Sequence, residues 1–323
     1  MTSGRDRLVG TGLTVGWRAA QLLPEPVADT VFRAAADRIF RRQGPPVIQL
    51  AKNLARVLGE AATPETLSAV VHEAVRSYAR YWKETLRLES MDLDEVHRRA
   101  VAGTTGLEHL ELAREQGRGV ILALPHSGNW DIAGLMICRL HGAMTTVAER
   151  LEPESLFRRF VDFRESLGME VLPLTGAGAS VSGILKDRLN AGGIVCLLAD
   201  RDLSRSGIDV DFFGERTRMP PGPAMLASLT GAALCPVHLS YDGTGWRQRV
   251  FPPVEPTGVR LRDKVAGATQ AMADIFQAAI AEYPADWHMM QPLWTADLRA
   301  TPEQTSPTGR TRGAVASELG ELS

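Results

Sequence analysis

Apolar and polar residues follow two different periods along this chain, and the change of period divides it. Residues 5–42 read as two helical stretches separated by Pro24-Glu25-Pro26. In the first, Leu8, Leu13, Val15, Trp17 and Leu22 are interleaved with Arg5, Arg7 and Arg18. In the second, Val27, Val31, Phe32 and Ile39 stand against Arg33, Arg38, Arg41 and Arg42. Gly44-Pro45-Pro46 punctuates the chain. Thr63-Pro64-Glu65 then predicts the start of a long helix reaching about Leu88, with Val70, Val71, Ala74, Val75, Tyr78 and Trp82 on its apolar side.

From residue 119 short apolar, β-rich runs alternate with helical ones. The strand candidates are Val120–Leu124, Thr145–Ala148, Val171–Leu174, Ile194–Ala199, Val210–Phe213, Leu234–Leu239 and Arg249–Pro252. Helical patterns cover Asp131–Leu140, Pro153–Leu167, Val181–Asn190, Gly222–Thr230 and about Leu261 to Glu282. Alternation of this kind predicts an α/β fold: a central mixed sheet of about seven strands flanked by helices, with an N-terminal helical segment. The expected organisation is N-terminal amphipathic helices over 1–44, a main domain over 45–298 and a disordered tail over 299–323, where Thr, Ser, Gly and Pro dominate.

Composition narrows the function classes. Apolar residues make up 44% and charged residues 23%, so the core can be large. The net charge of −2 argues against a nucleic-acid binder. Residues 1–60 nevertheless carry nine Lys/Arg against five Asp/Glu, a surplus that suits an anionic membrane surface or a solvated helix face equally. The apolar stretch Leu8–Leu23 is interrupted by Arg18 and falls short of the ~20 residues a spanning helix needs. It has no convincing secretory cleavage site, so a cytoplasmic protein, free or lying on the membrane, is expected. A basic amphipathic stretch with a Trp fits the lipid headgroup layer, or its apolar stripe packs on the main domain. Cys138, Cys196 and Cys235 are widely spaced, without a CxxC pair, and read as buried free thiols.

The sharpest local chemistry is Pro125-His126-Ser127-Gly128-Asn129-Trp130-Asp131, directly after the apolar run Gly119–Leu124 and before a helical run. The carboxyl end of a strand opening into a helix is where open α/β sheets place ligand sites. Ser-Gly-Asn lets the chain curl, so that the Asp131 carboxylate reaches back to one nitrogen of His126 and leaves the other as a general base. A helix N-terminal hydrogen bond is the alternative use of the same spacing. Ser127 is not cast as a nucleophile. Gly176-Ala177-Gly178 with Gly183 misplaces the third glycine of a dinucleotide fingerprint, and no Gly-x-Ser-x-Gly elbow is present.

His-x-x-x-x-Asp after an apolar strand resembles the signature of the glycerolipid acyltransferase superfamily, and His-Ser-Gly-Asn-Trp-Asp is similar to its lipid A acyltransferase-like branch. Further blocks match in order: Glu149-Arg150, Phe163-Arg164 with Gly168, Asp200-Arg201-Asp202, Asp211-Phe212-Phe213-Gly214 and Pro221-Gly222-Pro223. Within that branch, Trp17-Arg18 and Leu23-Pro24-Glu25-Pro26 resemble the opening of the actinobacterial phosphatidylinositol mannoside acyltransferases.

The resemblance implies a peripheral enzyme at the cytoplasmic face of the membrane. It would move a fatty acyl chain from acyl-CoA to a mannose 6-hydroxyl of a glycolipid, with His126 and Asp131 catalytic and no cofactor beyond the donor substrate. A lysophospholipid or other glycolipid acceptor, and a non-catalytic lipid-binding protein, are the competing readings. Around the motif, Glu149, Arg164, Asp200, Asp202 and Arg218 are expected to bind substrate or support the site. Arg164 offers a planar fork of donors for a phosphate or carboxylate, and pairing with Glu149 or Asp200 is expected. Asp200 would bond sugar hydroxyls or orient an arginine, and Asp202 either does the same or caps a loop. Arg218 precedes Pro220-Pro221-Gly222-Pro223, a helix start that could hold an anion. His288, in the closing segment Trp287-His288, reads as structural. One His among Asp131, Asp200 and Asp202 is a thin ligand set, so no metal is expected.

Overall fold

Five consecutive apolar residues without a polar face need cover on both sides, and Val120–Leu124 (β2) obtains it at the heart of the molecule. The computed structural model describes residues 16–150, 153–174, 180–202 and 207–300. In it β2 lies between Ile194–Leu198 (β5) and Ala233–Asp242 (β8), parallel to both. Beyond β5 come Met144–Ala148 (β3) and Met169–Pro173 (β4), also parallel. Beyond β8 come antiparallel Gly245–Val250 (β9) and the two-residue strand Thr104–Thr105 (β1), which complete a mixed seven-stranded sheet of order β1-β9-β8-β2-β5-β3-β4.

Strand alternation feeds two apolar layers. Ile121, Ala123, Val195 and Leu234 face one layer, which helices Pro45–Leu58 (α2), Pro64–Arg87 (α3), Val181–Asn190 (α8), Gly222–Thr230 (α9) and Leu261–Glu282 (α10) complete. Val120, Leu122, Leu124 and Ile194 face the other, under helices Leu93–Ala102 (α4), Leu107–Glu115 (α5), Trp130–His141 (α6) and Glu154–Ser166 (α7). Fully buried side chains such as Leu50, Leu54 and Phe276 each contribute roughly 2 kcal/mol by leaving water. The long helix starts where its cap predicts: Thr63 Oγ1 accepts the Thr66 N–H at 3.2 Å and Pro64 occupies the first turn.

The expected strand Val210–Phe213 forms outside the central sheet. Ile208–Phe212 (β6) pairs antiparallel with Glu215–Met219 (β7) as a separate hairpin, turned by Phe213 at φ 51° and Gly214 at φ 75°. Positive φ at both turn residues matches the right-handed twist of the flanking strands. Its second strand, Glu-Arg-Thr-Arg-Met, has too few apolar positions to be read as a strand.

The N-terminal segment is helical over 16–22 and again over Glu25–Arg42 (α1), broken at Pro24 as predicted. Trp17 is buried, 5.2 Å from Phe160 and 5.6 Å from Phe163 between ring centroids. Helix α1 lies on α3 through small Ala28 and Ala36 and through ion pairs: Lys83 with Glu25 at 2.6 Å, and Arg76 and His72 with Asp37, each at 2.7 Å. Leu22, Val27 and Val31 stay exposed. The apolar residues of this segment are therefore divided between packing on the main domain and an outward face. Helix Thr295–Ala300 (α11) runs past the expected boundary at 298; the remainder of the expected tail, 301–323, and residues 1–15 lie outside the described residues. Among the described residues no helix is long and apolar enough to cross a membrane.

His238 on β8 is 3% exposed, and burial pushes its imidazole down to about 4 from the ordinary 6.5. The folded chain holds this group neutral while the unfolded chain protonates it, so the unfolded state binds more protons between those two values. Its contribution is complete above pH 6.5 and is lost as pH falls towards about 4. Urea midpoints measured across that window should fall with pH, and more shallowly in His238→Phe; equal slopes would refute the assignment.

Candidate active site

Parallel register, not sequence proximity, decides the partner of His126. Leu124 of β2 pairs with Leu198 of β5, so the residues two beyond each, His126 and Asp200, leave the sheet side by side. His126 Nδ1 is 2.6 Å from Asp200 Oδ1, and the His126 backbone N–H donates to Asp200 Oδ2 at 2.9 Å. The Trp287 indole N–H donates to the same oxygen at 2.9 Å. Asp200 is fully buried, whereas the His126 side chain keeps 31% of its surface exposed. Burial alone would raise the Asp200 carboxyl; the His126 charge, with the ring, indole and backbone hydrogen bonds, outweighs it and holds the group below the usual carboxylate range. An ionised Asp200 accepts a hydrogen bond from Nδ1–H, which fixes the tautomer and leaves Nε2 as the basic nitrogen.

This corrects the expected pairing of His126 with Asp131. Asn129 caps α6, its Oδ1 accepting from the N–H groups of Asp131 at 3.1 Å and Ile132 at 3.2 Å, so the spacing read as a curl back to His126 is spent on starting a helix. Asp131 turns inward, fully buried. It takes the Arg164 Nε at 2.8 Å and the hydroxyls of Tyr81 and Thr85, each at 3.2 Å. Arg164 therefore pairs with neither Glu149 nor Asp200. Burial works against its charge, but the Asp131 carboxylate beside it raises the guanidinium pKa above its ordinary value.

The other candidates lie off this pair. Asp202 accepts the Gly207 N–H at 2.8 Å, bracketing residues 203–206. Arg218 pairs with Asp209 at 2.9 Å across the β6–β7 hairpin. Glu149 is exposed at the carboxyl end of β3. Among the described residues none of the three hydrogen-bonds to His126, Asp131 or Asp200. Cys196 and Cys235 are thiols that burial pushes up to about 12, which leaves them unionised.

One face of α3 supplies what the sequence reading missed. Ser77, Tyr81, Glu84 and Thr85 recur at helical spacing and all reach the motif or the segment behind it. Glu84 Oε2 accepts from Asn129 Nδ2 and from the Trp246 indole, each at 2.9 Å, while its other oxygen takes Arg80 Nε at 2.7 Å. Ser77 gives its only hydroxyl proton to Asp286 at 2.7 Å and so accepts from His288 Nε2 at 3.1 Å. That bond order rules out Ser77 as a nucleophile. Burial, with repulsion from His126, pushes the His288 imidazole down to about 3, and its backbone N–H donates to the His126 carbonyl at 2.8 Å.

Gly128 completes the pinning. Its φ is 55°, its N–H donates to the Asp286 carbonyl at 3.0 Å, and a Cβ there would meet the Leu239 backbone at 2.8 Å. Ser127 is buried, with its Oγ near the Leu239 N–H at 3.4 Å, away from any nucleophilic role.

Residues 10–296 match the family model for bacterial lipid A biosynthesis acyltransferase. The chain is 50% identical over 302 residues to the phosphatidylinositol mannoside acyltransferase of Mycolicibacterium smegmatis, covering 92% of this chain and 96% of that one. A protein of the same name from Mycobacterium tuberculosis is 51% identical over 285 residues, 88% of this chain and 87% of its own. The lipid A biosynthesis acyltransferase of Haemophilus influenzae is 24% identical over 200 residues, 61% of this chain and 58% of its own.

The two buried carboxylates should separate on substitution. Asp131→Ala strands the Arg164 charge and should cost about 3–5 kcal/mol of stability, read by urea unfolding. Asp200→Asn keeps a hydrogen-bonding side chain of the same shape but removes the charge that orients His126. It should lower turnover about 10²–10⁴-fold with the smaller stability loss. The reverse ranking would contradict the pairing.

Proposed function

The chain belongs to the bacterial lipid A biosynthesis acyltransferase family, and we propose that it transfers a fatty acyl group from an acyl-CoA thioester to a mannose hydroxyl of a phosphatidylinositol mannoside. His126 is the base. The observation that carries this reading is the exposed His126 ring whose Nδ1 is held by buried Asp200. Nε2 takes the proton of the acceptor hydroxyl as its oxygen attacks the thioester carbonyl, and then returns it to the departing thiolate. Direct transfer needs no protein nucleophile, consistent with the buried positions of Ser127 and the protonated thiols.

Three features support the substrate class. Both mycobacterial relatives are named for the mannoside acceptor, and the 6-hydroxyl and a palmitoyl chain are our choice of position and donor. Leu174 and Leu198 are exposed at the carboxyl ends of β4 and β5, with Val147, Leu172 and Leu197 half-buried nearby. Val147, Leu172 and Leu197 side with one apolar layer and Leu198, in register with Leu124, with the other, and the exposed leucines at these strand ends suit an acyl chain. On α1, Val27, Val31, Arg38 and Arg42 recur on one outward stripe, apolar then basic, as a helix lying on an anionic cytoplasmic leaflet requires.

Purified protein given labelled palmitoyl-CoA should label phosphatidylinositol mannoside, and His126→Ala should lose about 10²–10⁴-fold of that rate. His126-dependent label on a lysophospholipid or glucolipid instead would replace the acceptor and keep the mechanism; undiminished transfer by His126→Ala would remove the base. Val31→Glu should weaken binding to anionic vesicles in a flotation assay without slowing transfer to a soluble alkyl mannoside. Unchanged flotation would reject α1 as the docking face.

A further inference from the structure

Acyl transfer places negative charge on the thioester oxygen, and something beside His126 has to receive it. Most main-chain donors of the motif are already engaged. The N–H of His126 goes to Asp200, that of Ser127 to the Pro125 carbonyl at 2.8 Å, and that of Gly128 to Asp286. The N–H groups of Asp131 and Ile132, at the start of α6, go to the Asn129 side chain. The Asn129 cap thus occupies two of the N–H groups at the helix terminus next to the site.

The nearby arginines are mostly engaged as well. Arg164 is bound to Asp131 and Arg150 to Glu154 at 2.8 Å. Arg201 differs. It follows Asp200 directly, just beyond β5, whose neighbours in the sheet are β2, which leads into His126, and β3, which leads into Glu149. It is only partly exposed, and among the described residues it makes no hydrogen bond and no ion pair within 4 Å. Burial works against its charge, and the Glu149 and Asp200 carboxylates nearby offset that only in part. A guanidinium with five donors, partly withdrawn from water and without a hydrogen-bond partner among the described residues, is placed to be completed by a ligand.

Building on the acyl-transfer reading above, we propose that Arg201 is a catalytic residue that binds the oxyanion of the tetrahedral intermediate. The acceptor oxygen forms its bond to the carbonyl carbon as its proton passes to His126 Nε2, and the C=O π pair moves onto the carbonyl oxygen facing Arg201. The pair then re-forms C=O, the C–S bond breaks, and the sulfur takes the proton from His126. Ester and thiol leave, and no oxidant or further co-reactant is consumed. Arg201 lends hydrogen bonds to one oxygen and keeps its own proton throughout.

The competing use of a free guanidinium here is a phosphate of the donor or of the acceptor, and a phosphate-free substrate pair separates the two. Wild type, Arg201→Met, Arg201→Lys and His126→Ala are compared with palmitoyl-CoA plus phosphatidylinositol mannoside. They are compared again with an acyl-N-acetylcysteamine thioester plus an alkyl mannoside. Arg201→Met should lose about 10²–10³-fold in kcat with both pairs, at unchanged KM, and Arg201→Lys should recover part of it. Wild-type kcat in Arg201→Met, a loss confined to KM, or a loss that disappears with the phosphate-free pair would overturn the proposal. The acyl-transfer reading fails separately, if His126→Ala turns over like wild type. Because Arg201 makes no hydrogen bond and no close ion pair among the described residues, the Met variant should melt with wild type, which a thermal scan checks alongside.

Discussion

A carboxylate taken fully out of water must be given its hydrogen bonds by the protein, and Asp200 is given three: the His126 ring, the His126 backbone and the Trp287 indole. They come from two places far apart in the chain, the end of β2 and the segment after α10. The bonds hold only if β2 and β5 keep their register and the 286–288 segment stays docked. Much of the architecture serves that condition. The Gly128 N–H to the Asp286 carbonyl and the His288 N–H to the His126 carbonyl lace the two segments together, and Ser77 ties the second one to α3 through Asp286 and His288.

Helix α3 thus carries a polar rail on a face that otherwise packs the core. Glu84 fixes the cap of α6, Tyr81 and Thr85 meet Asp131, and Arg164 neutralises Asp131 from α7. The His126–Asp200 pair is built to leave one basic nitrogen in reach of solvent. The Asp131–Arg164 pair is built to stay closed. A buried ion pair of this kind contributes little net stability against an apolar alternative, so its value here lies in fixing where α6 begins relative to α3 and α7.

The centre of the sheet was legible because β2 and β5 are uninterrupted apolar runs, and α3 because Thr63-Pro64 starts it, whereas the two-residue β1 carries no pattern to read. The β6–β7 hairpin was half legible, since Glu215–Met219 is mostly polar and is held by pairing and by Thr217 bonding to the Leu293 carbonyl. Within the site, His126, Asp200, Arg164 and Asp131 were all found in the sequence but were joined wrongly. Spacing along the chain speaks to local contacts, and His-x-x-x-x-Asp offered one. The contact between His126 and Asp200 spans 74 residues and follows from parallel pairing, which no local pattern states. Ser77, Glu84 and Thr85 carried a usable signal: polar side chains recurring at helical spacing beside Val71, Ala74 and Val75, where solvation cannot explain them.

The most direct test of this account reads the His126 ring itself. In nitrogen-15 spectra of histidine-labelled protein, above the pH where imidazoles protonate, His126 should appear as the Nδ1–H tautomer with that proton shifted strongly downfield. The signal should survive Asp131→Asn and vanish in Asp200→Asn. Loss in Asp131→Asn with retention in Asp200→Asn would contradict the assignment of Asp200 as the carboxylate that holds His126.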